Sequence, residues 1–495
     1  MTDDSMVGDV AAERVAQELS PLAAKLVQTL DADELMNCMR CGFCQSACPT
    51  FGETGLEAAS PRGRIALMKA VTDGLMEPDT AFRDQMDLCL ECRACEPACP
   101  SDVKYGRLIG QTREVLAEYK DEDRLHRTIQ KFVFDGLFPH PRRLRLVGTG
   151  LRIYQQLGLS WLARRSGLLR LLPQNVQEME AIVPKASGAG VINMCKKIGL
   201  PVRQAVFHGH SALVIPSIGK TIARVGLFRG CVMDVLFTRT NLNTVRVLRQ
   251  AGFEIVIPKD QTCCGALHGH AGRTTFARQL ALQNISAFLA ADVDYIASNA
   301  GGCGAFLKEY DELFRGTNSG AANAQGDLGD TLGIDPEEIG TVDQIKGANW
   351  FSMRVKDISE LLVDYGRPLS MVKKEDRAVV ATYQDSCHLR NVMRIRDQPR
   401  ALLRALPGIE FVELPTADHC CGSAGIYNLT QPEMSSQIID HKMLDVDTTN
   451  AKVIVTTNPG CLLQMKWGLH RHEMNEESAV HLIDLLADHV EFDDR

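Results

Sequence analysis

CMRCGFCQSACP at residues 38–49 and CLECRACEPACP at residues 89–100 spell one pattern twice, C-x2-C-x2-C-x3-C-P. This is the run that wraps [4Fe–4S] cubanes: three closely spaced thiolates hold one cluster, and the fourth, followed by proline, crosses to the other. The crossed reading assigns Cys38, Cys41, Cys44 and Cys99 to one cubane. It assigns Cys89, Cys92, Cys95 and Cys48 to its partner. Clusters held this way sit close together and pass electrons. A disulfide framework would suit a short secreted chain, whereas this one has 495 residues and 17 cysteines, an odd number. Zinc sites pair two C-x2-C arms, or an arm with histidines, and do not need this run.

Working outward, the length suits about three domains at roughly 100–200 residues each. A hydrophobic fraction of 45% is that of an ordinary globular protein. The net charge of −8 argues against nucleic acid as a partner. The N-terminus, MTDDSMVGDVAAERVAQEL, has neither a basic n-region nor an apolar h-region. No uninterrupted apolar window of about 18 residues is present, so no transmembrane helix is expected. Many cysteines without a secretory signal point to a reducing cytoplasm and to metal ligation.

Five segments follow. Residues 1–30 are an extension with helical apolar spacing from about residue 10 (Val15, Leu19, Leu22, Leu26, Leu30). Residues 31–120 hold the two cysteine runs, with RIALMKAV expected as a helix after Pro61. Residues 121–220 read as a basic amphipathic linker, helical at first and irregular over 184–220. Between Arg124 and Leu172 stand Arg124, Arg127, Lys131, Arg142, Arg143, Arg145, Arg152, Arg164, Arg165 and Arg170, with Asp135 the only acid. Leucines and aromatics interleave with them. Three readings stay open: a linker packed on the core with its arginines in solvent, a subunit interface, or a face on a membrane surface.

Residues 221–370 and 371–495 are an internal duplication. Each copy runs strand, Cys, helix, strand, Cys-Cys-Gly, helix, strand, Cys. Cys231 answers to Cys387, Cys263-Cys264 to Cys420-Cys421, and Cys303 to Cys461, at offsets of 156, 157 and 158 residues. The first copy carries an insertion near residues 311–350, expected as a surface loop. Alternating strands and helices mean βαβ units and largely parallel sheets. Functional groups gather beyond the carboxyl ends of such strands, so each copy brings four thiols to one end. Four converging thiolates suit an iron–sulfur cluster or zinc. His388 and His419 neighbour the second set as alternative ligands or proton carriers. Cys195 stands alone and reads as a buried hydrophobe. The fold class is α+β: a helical two-cluster ferredoxin-like domain, then two homologous α/β cysteine-rich repeats.

CMRCGFCQSACPTF, SPRGRIALMKAV, CLECRACEPACPSDVKYGRLI, DQTCCGALHGH, GGCGAFLKEY, DHCCGSAGIYNLTQPE and NPGCLLQ together resemble the iron–sulfur subunit of glycolate oxidase (glycolate dehydrogenase) over residues 31–490. Similar modules occur in iron–sulfur subunits for glycerol-3-phosphate, in lactate-utilisation proteins and in heterodisulfide reductase. Many relatives add a second cysteine close to the last one of each repeat. Here Cys303 and Cys461 lack it, which leaves four ligands per repeat. The resemblance implies an FAD-containing 2-hydroxy-acid oxidase subunit as donor and a quinone or other membrane acceptor. It implies no catalytic residue here, and cytoplasmic or membrane-peripheral placement. No dinucleotide-binding turn follows a strand, so alcohol oxidation is expected only in the complex. D-lactate or glycerol 3-phosphate as donor, and disulfide reduction, are the alternatives.

Overall fold

In a computed structural model, residues 19–119, 128, 131–167, 174–314, 342–374 and 377–493 are described. The described residues divide into two compact units: residues 19–119 with 268–274, and the remainder.

The first unit is helical, and its helices start where the sequence supplies caps. Ser20 and Asp31 accept backbone hydrogen bonds at the starts of Pro21–Thr29 and Ala32–Asn37. Ser60 and Asp79 do so for Pro61–Thr72 and Thr80–Asp87. Of the leading helix expected from about residue 10, the described part is Pro21–Thr29, opened by the Ser20 cap and a proline at N1. Residues 1–18 lie outside the described residues. Leu26, Met68, Phe82, Met86 and Leu108 fill the core together with Cys89 and Cys95. The second cysteine run is thus part of what holds this unit together.

The second unit contains both repeats. The first has β3 (Ala223–Leu227), β4 (Phe253–Pro258), β5 (Tyr295–Ser298) and β6 (Val355–Asp357); the second has β7 (Val379–Tyr383), β8 (Ile409–Phe411), β9 (Val453–Thr456) and β10 (Ser478–His481). The strand orders are β4-β3-β5-β6 and β10-β9-β7-β8, one topology seen twice, and all pairs within these strands are parallel. The copies also exchange helices. The helix Thr238–Gln250 packs on Leu482–His489, and Asp397–Ala405 packs on residues 358–365. Thr240 and Asn243 donate to the Asp484 carboxylate at 2.7 and 2.8 Å across this junction. Val225, Ile255, Ala381, Tyr383, Leu403 and Leu486 share one core. The strands and helices of the two repeats described in the second unit therefore pack on one another.

Two sequence expectations change here. Residues 184–220, read as irregular at sequence level, contain the helix Gly190–Lys197 and a hairpin of β1 (Arg203–Phe207) and β2 (His210–Ile215). The hairpin extends the first sheet antiparallel to β4. His208 and Gly209, both at positive φ, form its two-residue turn. Of the expected loop at 311–350, residues 342–350 belong to the helix Val342–Arg354, and residues 315–341 lie outside the described residues. No helix among the described residues is long and apolar enough to cross a membrane.

Candidate iron–sulfur sites

In the first unit the two cysteine loops share one backbone. Arg40 and Gly42 have φ of 57° and 90°; Glu91 and Arg93, at the matching places, have 54° and 58°. Two left-handed residues in each C-x2-C-x2-C turn curl three thiols toward one side, and three of the four are not glycine. Strain of this kind is kept where surrounding structure holds it, typically at functional sites. Cys48 and Cys99 follow as each run closes, Cys48 at the start of the helix Pro49–Thr54.

A cleft is lined by Cys38, Cys41, Cys44 and Cys99, with Cys95, Arg62 and Tyr105 beside them. Of the second run, both Cys95 and Cys99 line this cleft, and Cys48 does not. Cys48 lies among thiols of both runs: Cys95 feels the charges of Cys89, Cys48 and Cys44, Cys44 feels those of Cys38 and Cys48, and Arg64 feels Cys89 and Cys48. The quartets differ in depth. Cys89, Cys92, Cys95 and Cys48 are all buried, while Cys41 is exposed and Cys38, Cys44 and Cys99 are half-buried.

Hydrogen bonds converge on the buried set. Tyr105 Oη donates to Cys89 Sγ at 3.6 Å, and the Glu91 amide does so at 3.3 Å. Cys48 Sγ lies 3.3 Å from Thr50 Oγ1. Arg64, fully buried, donates to Gln85 O at 2.6 Å and Thr50 Oγ1 at 3.1 Å. It sets a fixed cation beside Cys48 and Cys89, which no sequence rule singled out.

In the second unit each quartet also assembles. Cys231 lies at the start of a helix after β3, Cys263-Cys264 follow β4, and Cys303 lies in the helix after β5. Cys387, Cys420-Cys421 and Cys461 repeat this after β7, β8 and β9. Cys263 Sγ is 3.6 Å from Cys231 Sγ, and Cys264 links Cys263 to Cys303. Cys420 links Cys387 to Cys421, which reaches Cys461. Gly265 and Gly422 sit at φ of 90° and 88°, as the tight turn beside paired cysteines requires. The sites also adjoin: Asn458 donates to Cys461 Sγ at 3.4 Å and accepts from the amide of Gly302, next to Cys303, at 3.1 Å.

A hydrogen bond with Cys263, then burial, pushes the Cys231 thiol up; hydrogen bonds with Cys420 and Cys461, then burial, do the same for Cys421. Burial and neighbouring thiols raise Cys95 too. Sulfurs this crowded become thiolates together only with a compensating cation between them, and soft iron is one that thiolates favour. Among the described residues no three His, Cys, Asp or Glu side chains meet a single-ion geometry. His388 lies on the helix opened by Cys387. His419 offers its backbone carbonyl, to Gln384 at 3.0 Å and Lys442 at 3.2 Å. Cys195 is buried in the sheet core, away from every quartet's chain of contacts.

One asymmetry escaped the sequence reading. Two residues before Cys231 stands buried Arg229; two before Cys387 stands buried Asp385. Three residues after them the charges swap again, Asp234 against Arg390. Asp234 is shared by Arg145 at 3.2 Å and Arg229 at 3.9 Å. Asp385 is held by Arg390 and Arg400, each at 2.9 Å. The duplicated sites therefore sit in unlike fields.

Twin cysteine runs on a helical unit, with twin Cys-Cys-Gly sites on parallel sheets, define an iron–sulfur component of an oxidoreductase. Residues 34–103 match the 4Fe-4S dicluster domain, residues 125–183 the linker region of the glycolate oxidase iron-sulfur subunit, and residues 225–308 and 381–466 the cysteine-rich domain. The chain is 44% identical to a probable glycolate oxidase iron-sulfur subunit of Bacillus subtilis, over 95% of this chain and 98% of that one. It is 28% identical to the glycolate oxidase iron-sulfur subunit of Escherichia coli, over 88% and 90%. It is 30% identical to lactate utilization protein A of Oceanobacillus iheyensis, over 54% and 98%. The chain belongs to the family of glycolate oxidase iron–sulfur subunits.

Proposed function

We propose that this chain conducts electrons within a glycolate-oxidising complex, from an FAD-containing subunit to a quinone or another membrane acceptor. The observation that carries this reading is the pair of neighbouring sulfur quartets in the first unit, one buried and one opening on a cleft. Bound there, two [4Fe–4S] clusters supply one-electron redox chemistry. Cys38, Cys41, Cys44 and Cys99 would hold one, and Cys89, Cys92, Cys95 and Cys48 the other. Around them the chain's own residues do three things. Tyr105, Thr50 and the Glu91 amide hydrogen-bond sulfur; Arg64 offsets negative charge; the core around Met68 and Phe82 excludes water from the buried quartet. The quartets Cys231, Cys263, Cys264, Cys303 and Cys387, Cys420, Cys421, Cys461 would each hold a further cluster, linked through Asn458.

The test is reduction of the purified chain by glycolate, followed by EPR. Signals are expected only when the flavoprotein subunit is added. Full-rate reduction by the chain alone would overturn the division of labour. Reduction by D-lactate but not glycolate would move the donor to that acid.

A further inference from the structure

Residues 141–165, PRRLRLVGTGLRIYQQLGLSWLARR, hold six arginines and no acid. They fold into the helices Pro141–Gln156 and Leu159–Arg165. The first helix is apolar on two opposite sides. Leu144 and Gly148 face inward and are buried, with Gly148 so close to Val235 that a Cβ would come within 2.5 Å of its Cγ1. Leu146, Ile153 and Leu157, at i, i+7 and i+11, form a stripe on the outer side and are 73%, 49% and 69% exposed. Arg142 and Arg143, both exposed, fall on either flank of that stripe. Past the left-handed turn at Gly158, exposed Leu159, Trp161 and Leu162 continue the apolar surface. The Arg165 guanidinium lies 5.2 Å from the Trp161 ring centre. An exposed apolar surface of this extent marks a contact with something else.

We propose that this face docks on an anionic lipid bilayer, with the leucine, isoleucine and tryptophan side chains at the acyl boundary and the arginines on lipid phosphates. Three observations favour lipid. An apolar stripe flanked by arginines, with an amphipathic tryptophan, is the pattern of helices that lie in the membrane interface. Helices of 16 and 7 residues rest on a bilayer without spanning it. The charge is also complementary at this place in particular. Arg145 is already paired with Asp234; the other five arginines contribute +5 to a chain of −8, so the remainder carries −13, and an anionic surface attracts this face while repelling the rest. That contrast fixes an orientation. The assignment does not depend on which donor or acceptor the clusters serve.

The experiment uses the full chain, purified anaerobically, with iron content and thermal unfolding measured on every sample. It is sedimented with vesicles of phosphatidylcholine alone or of phosphatidylcholine mixed with phosphatidylglycerol. Wild type is expected to sediment with the mixed vesicles, not with the neutral ones, and to be released as salt rises. The doubly substituted chain L146E/I153E alters only exposed positions; it is expected to keep its iron and unfolding midpoint and to bind at least tenfold more weakly. W161E tests the second helix in the same way. Wild type left in the supernatant with anionic vesicles at low salt would overturn the proposal, as would variants that bind like wild type. If L146E/I153E keeps vesicle binding but no longer co-elutes with the flavoprotein subunit, the face is a subunit interface and the proposal falls.

Discussion

Gly63→Ala gives a severe test of how the first unit supports its sulfur sites. Gly63 lies in the first turn of the helix Pro61–Thr72. A Cβ there would stand 1.9 Å from Glu57 O, 2.7 Å from Glu57 C and 3.1 Å from Ala58 Cα. All three are backbone atoms, so no side chain can swing away. Ordinary contact starts near 3.4 Å, so helix and turn must part by more than an ångström. Those two pieces carry the site between them: the Ala59 carbonyl accepts from Thr50 Oγ1 at 2.6 Å, and Arg64, the next residue, binds Thr50 Oγ1. Overpacking typically costs about 1–3 kcal/mol and occasionally more; with rigid backbone on one side the upper end, about 3 kcal/mol, is expected here. The control is Gly110→Ala in the helix Tyr105–Glu118, where a Cβ meets nothing within 4 Å. That change should stabilise by about 0.5–1 kcal/mol, the usual helix-interior preference for alanine over glycine. The assay is thermal unfolding with iron analysis of anaerobically purified protein. Gly63→Ala should unfold many degrees lower and retain less iron, and Gly110→Ala should do neither. A Gly63→Ala protein with wild-type midpoint and iron would refute the claim that this close approach positions Cys48 and Arg64.

Burial raises the Asp357 carboxyl to about 6, whereas the unfolded carboxyl titrates near 4. Between those values the folded chain binds more protons, so stability falls as pH rises, by up to about 3 kcal/mol at neutrality. Asp357→Asn keeps the acceptor for the Ser359 amide and should be more stable than wild type at pH 7, with a smaller difference at pH 5 by denaturant unfolding. Cys195, whose thiol burial pushes up to about 12, should resist alkylation in the folded protein. Cys195→Ala should leave the iron content unchanged at a cavity cost of about 1–2 kcal/mol. In EPR-monitored titrations Arg229→Leu should lower one midpoint potential, because losing a positive charge disfavours the reduced state, and Asp385→Asn should raise a different one, because losing a negative charge favours it.

How much was legible depended on the range of the interaction involved. The cysteine runs and the duplication follow from local spacing, and so does the order strand, Cys, helix, strand, Cys-Cys-Gly, helix, strand, Cys in each copy. The hairpin at 203–215 was missed although His208-Gly209 between apolar runs carried a usable signal. Arg229 and Asp385 stand two residues before the first cysteine of each repeat, so their mismatch is visible in the sequence. Their burial, and that of Arg64, depends on contacts between residues far apart in the chain. The exchange of helices between repeats, through Thr240, Asn243 and Asp484, depends on tertiary packing that no window of sequence contains.

Iron and sulfide analysis of anaerobically purified Cys48→Ala and Cys99→Ala proteins, each with EPR of the reduced state, bears most directly on the crossed sulfur cages. Wild type should hold at least about eight irons in the first unit's two clusters. Cys99→Ala should disturb the signal of the cluster held by Cys38, Cys41 and Cys44, and Cys48→Ala that of the cluster held by Cys89, Cys92 and Cys95. Iron-free wild type, or a Cys99→Ala protein whose altered signal belongs to the second run, would contradict it.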